Sequence, residues 1–186
     1  MNEFIAIDFE TAVYTPNSAI SVGLVKYRDF RPVDSYYTLM RPPRLYIRPD
    51  FTDIHGLTVE DVRDAPNFKY IWENGAREFI GGSVLAAHYA VFDMKVLRAA
   101  LEHYDLPIPA LRYFCTCILA RHTWPRLKSH ALTALAKNFG IVYDAHNALA
   151  DAEACGKLVK MTADKFKCGN NFEELLEDAG VALKWL

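Results

Sequence analysis

Apolar residues in the first forty positions follow strand patterns. Phe4 to Ile7 is a short apolar run with acids at its end, as expected of a central strand buried on both faces. Ala19 to Tyr27 (AISVGLVKY) and Ser35 to Met40 (SYYTLM) are β-branched or aromatic with turn residues between them, and predict two more strands. Their short connections predict antiparallel neighbours. A Pro-rich loop, Arg41 to Pro49, breaks the pattern, and helices and strands alternate beyond it. Thr58, with Asp61 three residues on, predicts the N-cap of a short helix TVEDVRDA. Ile71, Trp72, Ala76 and Phe79 recur at helical spacing within Phe68 to Ile80, and Gly81-Gly82 stops that helix. Ser83 to Ala87 predicts a buried strand, Val91 to Tyr104 a helix, and Tyr113 to Cys117 a further strand. Short helices follow around Ile118 to Arg121 and Ala131 to Phe139, the second ended by Gly140. A long helix is predicted from about Asn147 to Phe166, and a last one over Asn171 to Ala179 with Gly180 as its C′ residue. Val181, Leu183 and Trp185 then alternate, which suits addition to a sheet edge or docking in a groove. The expected fold is α/β: a mixed five-stranded sheet, three antiparallel strands then βα units, flanked by helices. Residues 1–167 are expected to form one domain, with 168–186 a C-terminal helix and tail packed on it.

Composition narrows the function classes. With 186 residues, 52% hydrophobic, the chain is long enough to bury a substantial core. Lys+Arg total 21 and Asp+Glu 23, a net charge of -2, which excludes coating nucleic acid by bulk charge but not a local grip on a few phosphates. The longest stretch without a charge, Phe79 to Phe92, contains two glycines and His88 and is too short for a membrane span. MNEFIAIDFE has an acid at position 3 and does not resemble a signal peptide. Cys115, Cys117, Cys155 and Cys168 form no CxxC pair or zinc spacing, so reduced thiols and a cytoplasmic location are expected.

Three separated places could carry chemistry. Asp8 and Glu10 project from one face of the first strand, about 6.7 Å apart along it. Two acids ending a buried strand need a compensating cation or donor, and a divalent metal suits carboxylate oxygens. An isolated DxE is common, and Glu10 could equally lie in a solvated loop. Asp93 falls in the first turn of a helix on a row with Leu97 and Leu101; it could be a helix-dipole acid, but it follows a buried strand, where α/β sheets gather ligands. His146 and Asp151, in AHNALADAEA, would lie about 140° apart on one helix and converge only if His146 precedes the helix. Small residues at 148, 150, 152 and 154 would let that helix approach another element closely.

Taken together, these motifs resemble the DEDDh 3′–5′ exonucleases, the DnaQ-like branch of the ribonuclease-H-like fold that includes polymerase proofreading subunits. IDFET (Asp8, Glu10), HYAVFDMKVL (Asp93) and HNALADA (His146, Asp151) match its three motifs in order. IHGLT at 54–58 and LKSHALTALAKNFGI at 127–141 resemble further family segments. The resemblance implies two divalent ions, Mg2+ or Mn2+, with Asp8 bridging both, Glu10 and Asp151 completing the nucleophile side, and Asp93 supporting the second. It implies His146 as general base, Phe9, Thr11, His55 and Leu57 at the terminal nucleotide, and His88 among the substrate-binding residues. Tyr89 departs from the pattern, since many relatives have Asn there. Arg41, Arg44 and Arg48, and Arg121, Arg126 and Lys128 around Trp124, could hold phosphates, though solvated loops with ordinary charge are the better account of either cluster. The implied substrate is a single-stranded 3′ end, DNA ahead of RNA, with a DNA polymerase as a candidate partner and no membrane. An RNA exonuclease and a non-catalytic nucleic-acid or polymerase-binding module remain alternatives.

Overall fold

The computed structural model describes residues 2–186. Strand β1 (Glu3–Thr11) alternates as its sequence requires: Ile5, Ile7 and Phe9 enter one core, Phe4 and Ala6 the other. It pairs antiparallel with β2 (Ala19–Arg28), which pairs antiparallel with β3 (Arg31–Leu39). On its other side β1 runs parallel to β4 (Val84–Ala87), and β4 parallel to β5 (Arg112–Cys115). The sheet has six strands rather than the expected five. Lys184–Trp185 forms β6, antiparallel to β5, in the order β3-β2-β1-β4-β5-β6. It covers part of an edge that β5 would otherwise leave unpaired. The strand expected to reach Cys117 stops at Cys115. Its partner β4 ends at Ala87, opposite Cys115, and Thr116 and Cys117 instead start a helix.

The helices α1 (Pro49–His55) and α2 (Val59–Val62) follow β3. The first was not foreseen; Pro49, read as the end of a loop, begins it. Thr58 and Asp61 form a capping box on the second. The continuous helix expected over Phe68 to Ile80 is broken: α3 (Phe68–Ile71) passes through a π turn (Trp72–Ala76) into α4 (Arg77–Ile80). Asn74 and Gly75 leave helical geometry there, and a Cβ on Gly75 would stand only 3.0 Å from the Tyr36 ring. The remaining helices are α5 (Val91–His103), α6 (Thr116–Thr123), α7 (Leu132–Phe139), α8 (Ala148–Phe166) and α9 (Phe172–Asp178).

These helices form two layers. Side chains of α3, α4 and α5 cover the sheet face that carries Ile5 and Ile7. Those of α6, α8 and α9 cover the face that carries Phe4 and Ala6. The fit of α8 depends on two glycines. A Cβ on Gly23 of β2 would overlap the backbone of Ala148 and Leu149, and one on Gly156 would overlap the Tyr27 ring. Tyr27 in turn donates its hydroxyl to the Glu153 carbonyl at 3.0 Å. The start of α8 is thereby seated directly on β2. Among the described residues, no helix is long and apolar enough to cross a membrane.

Candidate active site

The site begins where β4 gives out. β1 pairs with β4 only through Phe4, Ile5 and Ala6, yet continues beside β2 to Thr11, with Asp8 opposite Gly23 and Glu10 opposite Ser21. Past Ala6 its other edge is open. This crevice lies outside the carboxyl ends of two parallel strands, where open α/β sheets bind ligands. The Phe9 N–H, with no strand to receive it, donates to Asp93 Oδ1 at 3.2 Å. Asp93 is 1% exposed in the first turn of α5, so one helix supplies both a strand-like acceptor and an inward carboxylate.

Asp8 and Glu10 share the β1 face of Phe4 and Ala6, the face α8 covers. Because Gly23 admits the α8 backbone so closely, Asp151 in the first turn of α8 arrives beside them. Carboxylate oxygens of Asp8, Glu10 and Asp151 lie within 4.8 Å of one another. Asn147 caps α8 by accepting the Ala150 N–H at 3.2 Å. His146, one residue earlier, precedes the helix as convergence requires and is exposed at the rim with φ 66°.

The electrostatics ask for a cation. Burial, then the charges of Asp93, Asp151 and Glu10, pushes the Asp8 carboxyl well above its ordinary range. Burial and the Asp151 charge push Glu10 up to about 8. Asp93 and Asp151 are likewise raised, chiefly by burial. Asp93 Oδ2 and Asp151 Oδ2 are buried without a hydrogen-bond partner among the described residues. Hard oxygen donors that are crowded, desolvated and unsatisfied fit divalent cations, and the site is suited to divalent metal.

The other expected residues fall out differently. His55 accepts the Leu57 N–H on Nδ1 at 3.0 Å, so the neutral ring carries its proton on Nε2, which is buried without a partner. That nitrogen is a free donor on a ring close to the Thr11 backbone and to His146. Thr11 and Phe9 are buried on β1, and Leu57 packs in the small cluster around Ile20 and Val62. His88 is different: Nε2 meets the His130 carbonyl at 2.8 Å and Nδ1 meets Thr116 Oγ1 at 3.0 Å. With both nitrogens engaged, His88 ties down the loop before α7 rather than offering a donor to substrate. Burial holds its pKa down to about 4.

Sequence reasoning missed Tyr143. Its hydroxyl is buried without a partner beside Asp151, and burial followed by the Asp151 charge raises its pKa. No local motif marks it; only the return of the chain to β1 brings it there. Three of the carboxylates, Asp8, Glu10 and Asp151, line an open cavity of about 340 Å³ together with His146, Tyr89, Phe92 and Leu132. A separate cavity of about 470 Å³ beside Tyr14 and Arg44 has no acid in its lining, and the Arg48 there is paired with Asp50 at 2.9 Å. Trp124, expected among basic loop residues, packs against Phe139.

A family model described as an exonuclease matches residues 5–159. The chain belongs to the exonuclease family. Exonucleases are hydrolases of phosphodiester bonds. This exonuclease is 31% identical over 171 residues to a DNA polymerase III PolC-type protein of Clostridium perfringens, a match that covers 89% of the chain but 12% of that polymerase. It also resembles the structure of Exonuclease X in complex with 5′ overhanging duplex DNA, at 26% identity and a TM-score of 0.71, covering 95% of this chain and 98% of that one. The nuclease domain of 3′hExo, a DEDDh family member, shares its fold with a TM-score of 0.75 at 17% identity, over 88% and 92% of the two chains.

Proposed function

We propose that this exonuclease removes nucleoside monophosphates one at a time from DNA 3′ ends, using two divalent ions, Mg2+ or Mn2+, held by Asp8, Glu10, Asp93 and Asp151. The convergence of these carboxylates in the open crevice beside β1 carries the reading. Such a pair of ions supplies an activated water and stabilises the attacking and departing oxygens. Asp8, which feels the charges of Asp93, Asp151 and Glu10, would hold the ions together with them. His146 accepts the proton of the attacking water, a role suited to an exposed imidazole at the rim of the cavity. The free Nε2–H of His55 orients the terminal nucleotide, and Phe9, Thr11 and Leu57 shape its seat.

DNA is favoured because the PolC-type relative is a DNA polymerase and the Exonuclease X structure holds DNA. The same similarity supports work beside a polymerase, and free thiols among the described cysteines fit a cytoplasmic setting. Single-turnover digestion of matched DNA and RNA strands, each labelled at the 5′ end, tests the reading. A ladder of shortening DNA products with Mg2+ and none after EDTA is expected. Activity that survives exhaustive chelation, or immediate release of labelled mononucleotide, overturns it; faster digestion of RNA reassigns the substrate.

A further inference from the structure

Six non-glycine residues adopt positive φ among the described residues: Asp29, Phe30, Tyr89, Asp105, His146 and Lys167. Four have local reasons. Asp29 and Phe30 are the two residues joining β2 to β3, where a tight hairpin turn demands this geometry. Asp105 follows the end of α5, and Lys167 is the left-handed cap of α8. Tyr89 and His146 lie in the short turns that lead into α5 and α8, the Tyr89 carbonyl accepting the Phe92 N–H at 2.8 Å, and both line the active-site cavity. A large aromatic residue at φ 63° carries strain that Asn or Gly would largely relieve.

Tyr89 faces outward. Its neighbour His88 points into the fold, while the Tyr89 ring is 50% exposed beside the 48% exposed Phe92 on the same cavity. Its hydroxyl lies toward Cys117 and Arg121. A half-exposed ring at the mouth of a nucleotide site is a stacking surface, because every base offers a π face.

We infer that Tyr89 is a binding platform on which a nucleobase of the substrate strand stacks, its ring held at the cavity mouth at the cost of a strained backbone. This rests on the proposed function, and it deepens it by assigning a sequence-tolerant base contact to the residue at which this chain departs from the family pattern. The test is binding of a fluorescein-labelled ten-nucleotide oligothymidylate by anisotropy with Ca2+ as the cation, beside thermal unfolding of each protein. Tyr89→Asn should weaken binding roughly 5–100-fold, the range for losing one base–aromatic stack. The same variant should melt about 2–4 °C higher, since Asn tolerates the left-handed region. Tyr89→Phe should bind and melt like the wild type. Unchanged binding by the Asn variant, a lower melting temperature, or a Phe variant as weak as the Asn variant each overturns the inference; the last would assign the role to the hydroxyl. Wild-type protein that neither binds nor digests the strand overturns the functional reading itself. The ratio of variant to wild type reports on Tyr89 alone.

Discussion

The two halves of β1 meet opposite fates within one strand. Phe4, Ile5 and Ala6 are hydrogen-bonded on both edges, to β2 and to β4, and buried on both faces. Asp8 to Thr11 keep only the β2 edge, and the gap left by β4 is met by Asp93 from one helix layer and Asp151 from the other. The first half gains from burial and has nothing left to offer a ligand. The second half carries unsatisfied oxygens and carboxyls raised by crowding and desolvation, which is stored capacity for a cation and a substrate. A binding site here is the place where an otherwise complete core is left open.

Substitutions should separate these halves. The largest loss of rate is expected across the gap. His146→Asn should slow single-turnover digestion by about 10²–10⁴-fold, the usual contribution of a positioned base, with metal binding by calorimetry retained. An Asn variant at full rate would remove the imidazole from the mechanism. On the open half, Asp8→Asn should cost about 10²–10³-fold in rate at saturating Mg2+, comparable to removing one preorganised electrostatic stabiliser. Its thermal stability without metal should hold or rise, because one of several repelling carboxyls is gone. On the closed half the pattern inverts. Ile5→Ala should cost about 2–5 kcal/mol in denaturant unfolding and leave the rate of the remaining folded protein nearly unchanged. A smaller effect, on both readouts, is expected where α8 meets β2. Gly23→Ala forces the first turn of α8 away from β1 and should cost about 1–3 kcal/mol while weakening metal binding through Asp151.

The gentlest probe is pH. Glu10 ionises near 4.5 when unfolded and near 8 in the metal-free fold, so the folded state holds the extra proton between these values. Stability without metal should therefore be greatest below about pH 4.5 as far as this group is concerned, and fall as pH rises toward 8. Urea midpoints measured at intervals over that range, with and without Mg2+, should show the decline only in the absence of the ion. A metal-free midpoint that rises over the same range would show that Glu10 is not held protonated.

Much of this could be read along the chain. The alternation of β1 put Asp8 and Glu10 on one face, the Thr58–Asp61 spacing marked a cap, and small residues around Asp151 marked a helix able to approach closely. The early end of α3 was not readable, because the apolar spacing over Phe68 to Ile80 continues across Gly75; the Tyr36 ring from β3 lies against that turn. The tail was readable only as a choice between a sheet edge and a groove; the free edge of β5 decides it, pairing with Lys184 and Trp185.

Which residues are apolar, which are acidic and how each repeats along its own segment are properties of neighbours on one chain, and they are legible there. Contacts between segments set the rest: the β1–β4 pairing ends at Ala6, Gly23 lets Asp151 reach Asp8, both nitrogens of His88 are taken, and Tyr143 faces the acids. Each of these depends on contacts between segments far apart in the chain, where close packing and the need to satisfy buried polar groups leave few arrangements open. No local period records them.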